Sequence, residues 1–261
     1  MLHRFLLINN QYVKVIPASE FLSNDRWDVQ RFWSEEELVN TGNLEEAIDR
    51  ISFLDEVEAQ ISQLTSELHI VREEIDKLEE NGEYKTVSIS DLVLFNVRRG
   101  KRVTRNDGHN HPGDIPVYSG SKYVNRPLCK VSEKWAKENN IPIEEKPIVT
   151  VNANGYVGAT FVRKEKCIIH DDVMMIETKD CNIDLEYLRQ KLRGAIAAGN
   201  YEYEAKLYNR VKELSIEIPL SDTGFDLGKQ KKIAVALKKF DNLKEKLCEL
   251  ETWGGEVRIK Y

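Results

Sequence analysis

The sequence predicts an α+β fold: one mixed α/β domain flanked by two long helices that form an antiparallel coiled coil. Three observations predict it. Apolar residues at Leu54, Val57, Ile61, Leu64, Leu68, Val71, Ile75 and Leu78 alternate steps of three and four, which is a heptad seam. The same spacing returns at Ile233, Ala236, Phe240, Leu243, Leu247 and Leu250. Between the seams, short runs rich in β-branched residues mix with amphipathic helical stretches.

Taken in order, residues 1–42 read as an N-terminal arm or the remnant of a preceding domain. The first long helix is expected over 43–82, with Asn43 as N-cap, Glu46 three residues on, and Gly82 as the C-terminal cap. Arg50 interrupts the apolar register, so the seam proper starts at Leu54. The second helix is expected over 226–253, followed by a tail at 254–261. At ~1.5 Å per residue the two span about 50 and 35 Å, too long for either to bury its stripe alone. They should pair, and because the ends of a compact domain often emerge close together, they should run antiparallel. A parallel homodimer through either seam is the alternative.

The domain between them, 83–225, offers strand candidates at "DLVLFNV", "DIPVYSG", "KPIVTVNA", "GATFVRK", "CIIH", "DVMMIET" and "LSIEIPL". Helices are expected at "SEKWAKEN", "IDLEYLRQKLRGAIA" and "EYEAKLYNRVKEL". Turns are marked by "NDGHNHPGD" and "NANGYVG", where Gly and Asn tolerate positive φ.

Composition excludes several classes. Apolar runs are too short and interrupted to cross a bilayer and the N-terminus has no signal-peptide pattern, so a cytoplasmic protein with no membrane partner is expected. Cys129, Cys167, Cys181 and Cys248 form no CxxC pair, which predicts reduced thiols rather than a zinc site or disulfides. The net charge of -6 is unevenly placed: residues 34–83 hold 3 Lys/Arg against 16 Asp/Glu, while 84–220 hold 22 against 18. A ligand meets the local field, so the basic middle is compatible with nucleic acid despite the acidic total.

The chemistry-bearing residues lie in three stretches. "NVRRGKRVTRNDGHNH" carries Arg98, Arg99, Lys101, Arg102 and Arg105, then Asn106. Guanidinium forks match phosphate and the guanine edge, and asparagine can pair with adenine. "YSGSKYVNR" supplies Ser119, Ser121, Lys122, Tyr123 and Asn125; "NANGYVGATFVRKEK" supplies Asn152, Asn154, Tyr156, Arg163 and Lys164. Small residues there let a backbone approach a ligand closely. No catalytic or metal-binding set stands out. Asp114, Glu144 and Lys146 form a short nuclease-like pattern, and His109 to His111 lack the partners of a metal-dependent nuclease. No glycine-rich cofactor loop, Asn-Pro-Pro-Tyr-type element or phosphate loop occurs.

A mixed domain held between two paired helices resembles the specificity subunits of type I restriction-modification systems. "GDIPVYSGSKYVN" looks like the family's strand and loop beginning GxIP, and "IVTVNANGYVGATF" like its later strand and glycine turn. "LEYLRQKL" with "LSIEIPL" resembles the segment closing a target recognition domain. "GKQKKIAVALKKFDNLKEKLCELE" is similar to the opening of the spacer helix after it. The likeness covers about residues 86–252. It departs at "IPLSDTGFDLGKQ", where Gly228 and Lys229 replace the acidic residue usual before the glutamine, and in having one recognition domain rather than two.

The resemblance implies a non-catalytic reader of duplex DNA whose target recognition domain reads half of a bipartite site. It implies helices that dock DNA methyltransferase subunits, with a restriction/translocase subunit and a second copy or second specificity half as further partners. No cofactor is expected in this chain; S-adenosylmethionine belongs to the methyltransferase, an adenine-N6 enzyme. The competing readings are a coiled-coil adaptor with a protein-binding globular domain, and a metal-dependent nuclease using Asp114, Glu144 and Lys146.

Overall fold

The computed structural model of this chain describes residues 33–40, 48–199, 207–257 and 259–260. In order the elements are α1 (Glu35–Asn40), β1 (Ile48–Asp49), α2 (Arg50–Glu80), β2 (Tyr84–Ser88), β3 (Phe95–Arg99), α3 (Arg105–Asn110), β4 (Ile115–Tyr118), β5 (Cys129–Val131), α4 (Glu133–Glu138), β6 (Ile148–Asn152) and β7 (Thr160–Arg163). There follow β8 (Ile168–Ile169), β9 (Val173–Thr178), α5 (Leu185–Ala198), α6 (Leu207–Arg210), a 3-10 turn (Val211–Glu213), β10 (Ser215–Ser221), β11 (Gly224–Phe225), α7 (Leu227–Glu256) and β12 (Ile259–Lys260). The mixture of helix and sheet is the α+β class that the sequence predicts. No helix among the described residues is long and apolar enough to cross a membrane.

The chain divides into two compact units, residues 68–242 and residues 1–67 with 243–261. In the first, β3, β9, β6 and β7 form an antiparallel sheet in that order. Both of its faces are covered, and the sequence shows why. Along β9, Met174 and Ile176 enter one core while Val173 and Met175 enter another, and β6 divides Val149 and Val151 from Ile148 in the same way. A strand buried on both sides reads as a continuous apolar run.

The larger core joins this sheet to α5, to the β11-β10-β2 sheet and to the start of α7 through Tyr187, Leu188, Leu192, Ile216, Ile218 and Ile233. Tyr187 is fully buried and satisfies its hydroxyl by donating to the Glu217 carbonyl at 2.7 Å; burial pushes its pKa up. A third sheet, β5-β4-β8, packs its Ile115, Val117, Val131 and Ile168 against Val103, Ala136 and Ile141.

Within this unit the C-terminal part of α2 and the N-terminal part of α7 run antiparallel. Lys229 Nζ donates to the Asn81 carbonyl, and Lys239 Nζ lies 3.3 Å from Glu74 Oε2. Val71, Ile233 and Ala236 are buried along the pair, and Leu68, Ile75, Leu78 and Phe240 are half-buried. In the other unit Phe53 faces Trp253 with ring centroids 5.6 Å apart, and β1 pairs in parallel with β12. There Leu64 and Leu243 are buried, with Val57, Leu247 and Leu250 half-buried.

Several expectations are corrected. The seam residues Leu54 and Ile61 are 62% and 46% exposed. The covered stripe is Phe53, Val57, Gln60 and Leu64, because a straight helix drifts from a strict 3.5-residue repeat. The first helix starts at Arg50: Ile48 and Asp49 are extended in β1, and the Asp49 carboxylate accepts from the N–H groups of Ile51 and Ser52 at 3.0 and 3.1 Å. The expected cap at Asn43 lies outside the described residues, as do most of the N-terminal arm and residues 202–206 of the expected helix before Leu207.

The strand expected over 91–97 begins only at Phe95. Asp91 makes a turn instead, with its carboxylate accepting from Val93 N at 2.8 Å. The expected turn around Gly108 is the helix α3, closed by a reciprocal capping box between Thr104 and Asp107. Strands β2 and β5 were not expected.

Candidate nucleic-acid interface

The residues predicted to contact DNA all fall in the unit of residues 68–242, and their local partners sort them. Arg98 leaves β3 and clasps the buried Glu144: NH1 donates to Oε1 at 2.5 Å and NH2 to Oε2. That contact raises the arginine pKa. It also engages both carboxylate oxygens of Glu144, one of the three residues of the nuclease-like pattern. Arg99 lies 4.3 Å over the Tyr208 ring and donates to the Asp171 carbonyl at 2.6 Å. Lys101 donates to the carbonyls of Asn139 and Asn140 at the end of α4. The basic cluster is therefore mostly a structural clamp. Arg102, Arg105 and Asn106 remain exposed, with no side-chain partner among the described residues. Helix α3, which carries the latter two, sits on β5, where a Cβ on Gly108 would come within 2.5 Å of Cys129 Cβ.

The second group is a built feature. Loop 119–126 leaves β4 and turn 153–158 joins β6 to β7. Tyr156 N donates to the Gly120 carbonyl at 2.8 Å. The backbones approach so closely that a Cβ on Gly120 would lie 2.1 Å from the Asn154 carbonyl oxygen; Gly155, at φ +74°, faces Gly120 with the same restriction. Asn152, 1% exposed, donates from Nδ2 to the carbonyls of Ser121 at 2.8 Å and Tyr156 at 3.2 Å. Arg163, 4% exposed, donates from NH1 to the Val124 carbonyl and lies 3.7 Å over the Tyr118 ring. Burial pulls its guanidinium pKa down and pushes that of Tyr118 up to about 12.

Asn152 and Arg163 are thus corrected from contact residues to positioning residues, since their groups are under the loop rather than on it. The turn is held from the other side by Asp172. Its carbonyl accepts from Ala153 N and Asn154 N, and its carboxylate from Asn154 Nδ2 at 3.1 Å. His170 Nδ1 lies 3.0 Å from Asp171 Oδ1 and 2.9 Å from Asp172 Oδ2, so the three residues form a compact bracket beneath the turn.

What this framework displays is Lys122, Tyr123, Val124, Asn125 and Arg126 from the loop and Tyr156 from the turn, all exposed. Ser121 turns its hydroxyl inward to accept from Tyr123 N at 3.1 Å, Ser119 is half-buried, and Lys164 pairs at 3.7 Å with Glu186. Val124 and Arg126 were missed by the sequence reading; their signal was position, between the glycine turn and Pro127. Neither segment contains a carboxylate. The arrangement offers two cations, an asparagine amide and two aromatic faces on a rigid base, which suits hydrogen bonding, stacking and anion contact.

A family model described as the type I restriction modification DNA specificity domain matches residues 81–252. The specificity subunit of the type I restriction enzyme MpnII from Mycoplasma pneumoniae is 28% identical over 168 residues, covering 64% of this chain and 46% of that protein. A second specificity subunit from that organism, S.MpnORF615P, is also 28% identical over 168 residues, covering 64% of this chain and 61% of its own length. Across the curated relatives the chain spans 41% to 64% of their length. Among solved structures, the type I S subunit from M. genitalium aligns at 14% identity with a TM-score of 0.41, over 77% of this chain and 56% of that one. The HsdS subunit from Thermoanaerobacter tengcongensis aligns at 13% and 0.46, over 77% and 52%.

Proposed function

Because the chain belongs to the type I restriction-modification DNA specificity family, we propose that it recognises a sequence in duplex DNA through the paired loops 119–126 and 153–158. The observation that carries this reading is the loop pair itself: a rigid, carboxylate-free tip that presents Lys122, Arg126, Asn125 and two tyrosines to solvent. Lysine and arginine supply the sequence-independent attraction to phosphate, and asparagine can read a base edge. Arg102, Arg105 and Asn106 add a second basic element on α3 and the segment before it. Residues 83–225 act as one target recognition domain reading half of a bipartite site. Spans 43–82 and 226–253 act as spacer helices that pair as an antiparallel coiled coil.

In this reading the chain does no chemistry. Methyltransferase subunits dock on the helices, bring S-adenosylmethionine and modify adenine at N6. A restriction/translocase subunit joins that assembly, a second copy or second specificity half reads the other half-site, and the complex works in the cytoplasm.

The test is selection of duplexes from a randomised pool by the full chain, followed by anisotropy titrations on the selected duplex. A recovered consensus is expected, with binding that falls as salt rises. Lys122→Ala and Arg126→Ala should each weaken binding to all duplexes and lower the salt slope by about one. Asn125→Ala should relax the consensus at one position. A pool that returns no consensus at low or moderate salt would remove the proposal.

A further inference from the structure

We propose that Tyr123 and Tyr156 are stacking residues: with Val124 they form a wedge that enters the duplex at one base step, unstacks it and lays the tyrosine rings on the opened bases. This rests on the DNA reading above and goes beyond it, since phosphate and edge contacts require no such opening.

The argument starts from what the fold spends on the tip. Tyr123, Val124 and Tyr156 are 50%, 44% and 59% exposed, although each would lower the free energy of the chain by turning inward. They are held out by a backbone that tolerates no side chain at Gly120 or Gly155 and by two buried polar side chains, Asn152 and Arg163. Those two carry Asn152 Oδ1 and Arg163 Nε, the buried side-chain atoms without a hydrogen-bond partner among the described residues. Among the described residues no carboxylate lies within ion-pair distance of Arg163; Glu165 acts on it only through its field. Unsatisfied buried polar atoms are uncommon in folded proteins, and both lie directly under one exposed apolar tip. Local rules broken together at one place mark a site shaped for binding rather than for stability.

The chemistry of the surroundings selects the ligand. Lys122 Nζ lies 5.0 Å from the Tyr123 ring centroid and the Arg126 guanidinium 5.8 Å, so the aromatic face is bordered by cations. The buried guanidinium of Arg163 adds positive charge from beneath. Aromatic faces bordered by cations, on a loop and turn that carry no carboxylate, suit nucleobases, whose π faces stack and whose phosphates pair. An apolar wedge in that setting kinks a duplex by separating adjacent bases.

The experiment uses the full chain and the duplex selected above, prepared as a set with 2-aminopurine replacing a base at successive positions. A several-fold rise in 2-aminopurine fluorescence at one step is expected on saturation. Tyr123→Ala and Tyr156→Ala should abolish the rise and weaken specific binding by roughly tenfold, whereas the Phe replacements should retain both. Lys122→Ala should keep the rise at saturation while lowering the salt slope. Both tyrosines are solvent-facing, and unchanged circular dichroism would show that the alanine variants fold. Tight, selective binding with no rise at any position, or an undiminished rise in both alanine variants, would overturn the wedge and leave sequence recognition standing. Failure to select any duplex would overturn both.

Discussion

Gln230 provides the sharpest test of how the recognition unit is fastened to its helix. It is fully buried in the first turn of α7, accepts from Asp184 N at 2.9 Å and donates to the Asn182 carbonyl at 2.8 Å. Asp184 is the N-cap of α5 and accepts from Tyr187 N at 2.9 Å, so one amide links the start of α7 to the start of the helix that fills the main core. Gln230→Ala strands a backbone donor and a backbone acceptor, at about 1–3 kcal/mol each. It also removes one buried methylene, at about 0.8 kcal/mol. Admission of a water to the gap would bring the total toward the low end, so about 3 kcal/mol is expected, a large fraction of the ~5–15 kcal/mol that holds a typical domain.

Gln230→Met keeps most of the volume and should cost about 2 kcal/mol or more from the polar groups alone. Gln230→Glu can still accept from Asp184 N but sets a carboxylate against the Asn182 carbonyl. Burial and that contact should raise its pKa above the ordinary glutamate value. Its stabilising contribution would then be present below the unfolded pKa and lost as pH rises through the folded one. Urea unfolding followed by circular dichroism measures the three costs, and hydrogen exchange at the Asp184 amide localises them. Three variants within about 0.5 kcal/mol of the parent, with unchanged protection at Asp184, would refute the reasoning.

Other outcomes follow from the same contacts. Gly155→Ala puts a Cβ about 2.5 Å from the Gly120 carbonyl oxygen at a positive φ, so it should part the two loops. The variant should keep its circular dichroism and lose DNA selectivity in the pool assay. Burial pushes the Cys167 thiol up to about 12 while Cys181 and Cys248 are exposed. Iodoacetamide at pH 8 should label the latter two in the native protein and Cys167 only after unfolding, as read by peptide mass spectrometry. Lys137 and Lys166 hold the half-buried Glu133 carboxyl at about 2. Because its folded pKa is depressed, its contribution is present above the ordinary glutamate value and fades as pH falls toward 2. Glu133→Gln should therefore flatten the pH dependence of stability in that window, measured by thermal unfolding at a series of pH values.

The existence and type of most elements were legible in the sequence, because period-2 and 3.6-residue patterns are properties of neighbouring residues. The runs at Ile148–Asn152 and Val173–Thr178 are strands where their β-branched and apolar residues put them, and α7 lies within a few residues of its expected bounds. The stripe through Leu54 and Ile61 was misplaced, since the chain by itself shows a spacing and not which flank meets the partner helix. The glycine turn at 106–114 concealed a short helix because its capping box competes with the breaking tendency of Gly108.

The sequence by itself determined that basic, aromatic and asparagine residues gather on loops between strands. Only the tertiary structure decided which of them face outward. Arg98 is paired to a carboxylate 46 positions away, Asn152 reaches back 31 positions to Ser121, and Arg163 reaches back 39 to Val124. Those distances are closed by the pairing of β3 with β9 and β6 with β7 and by the pinning of two loops through glycine. A side chain's freedom depends on whether a partner arrives beside it, and partners arrive through long-range pairing that local composition does not encode.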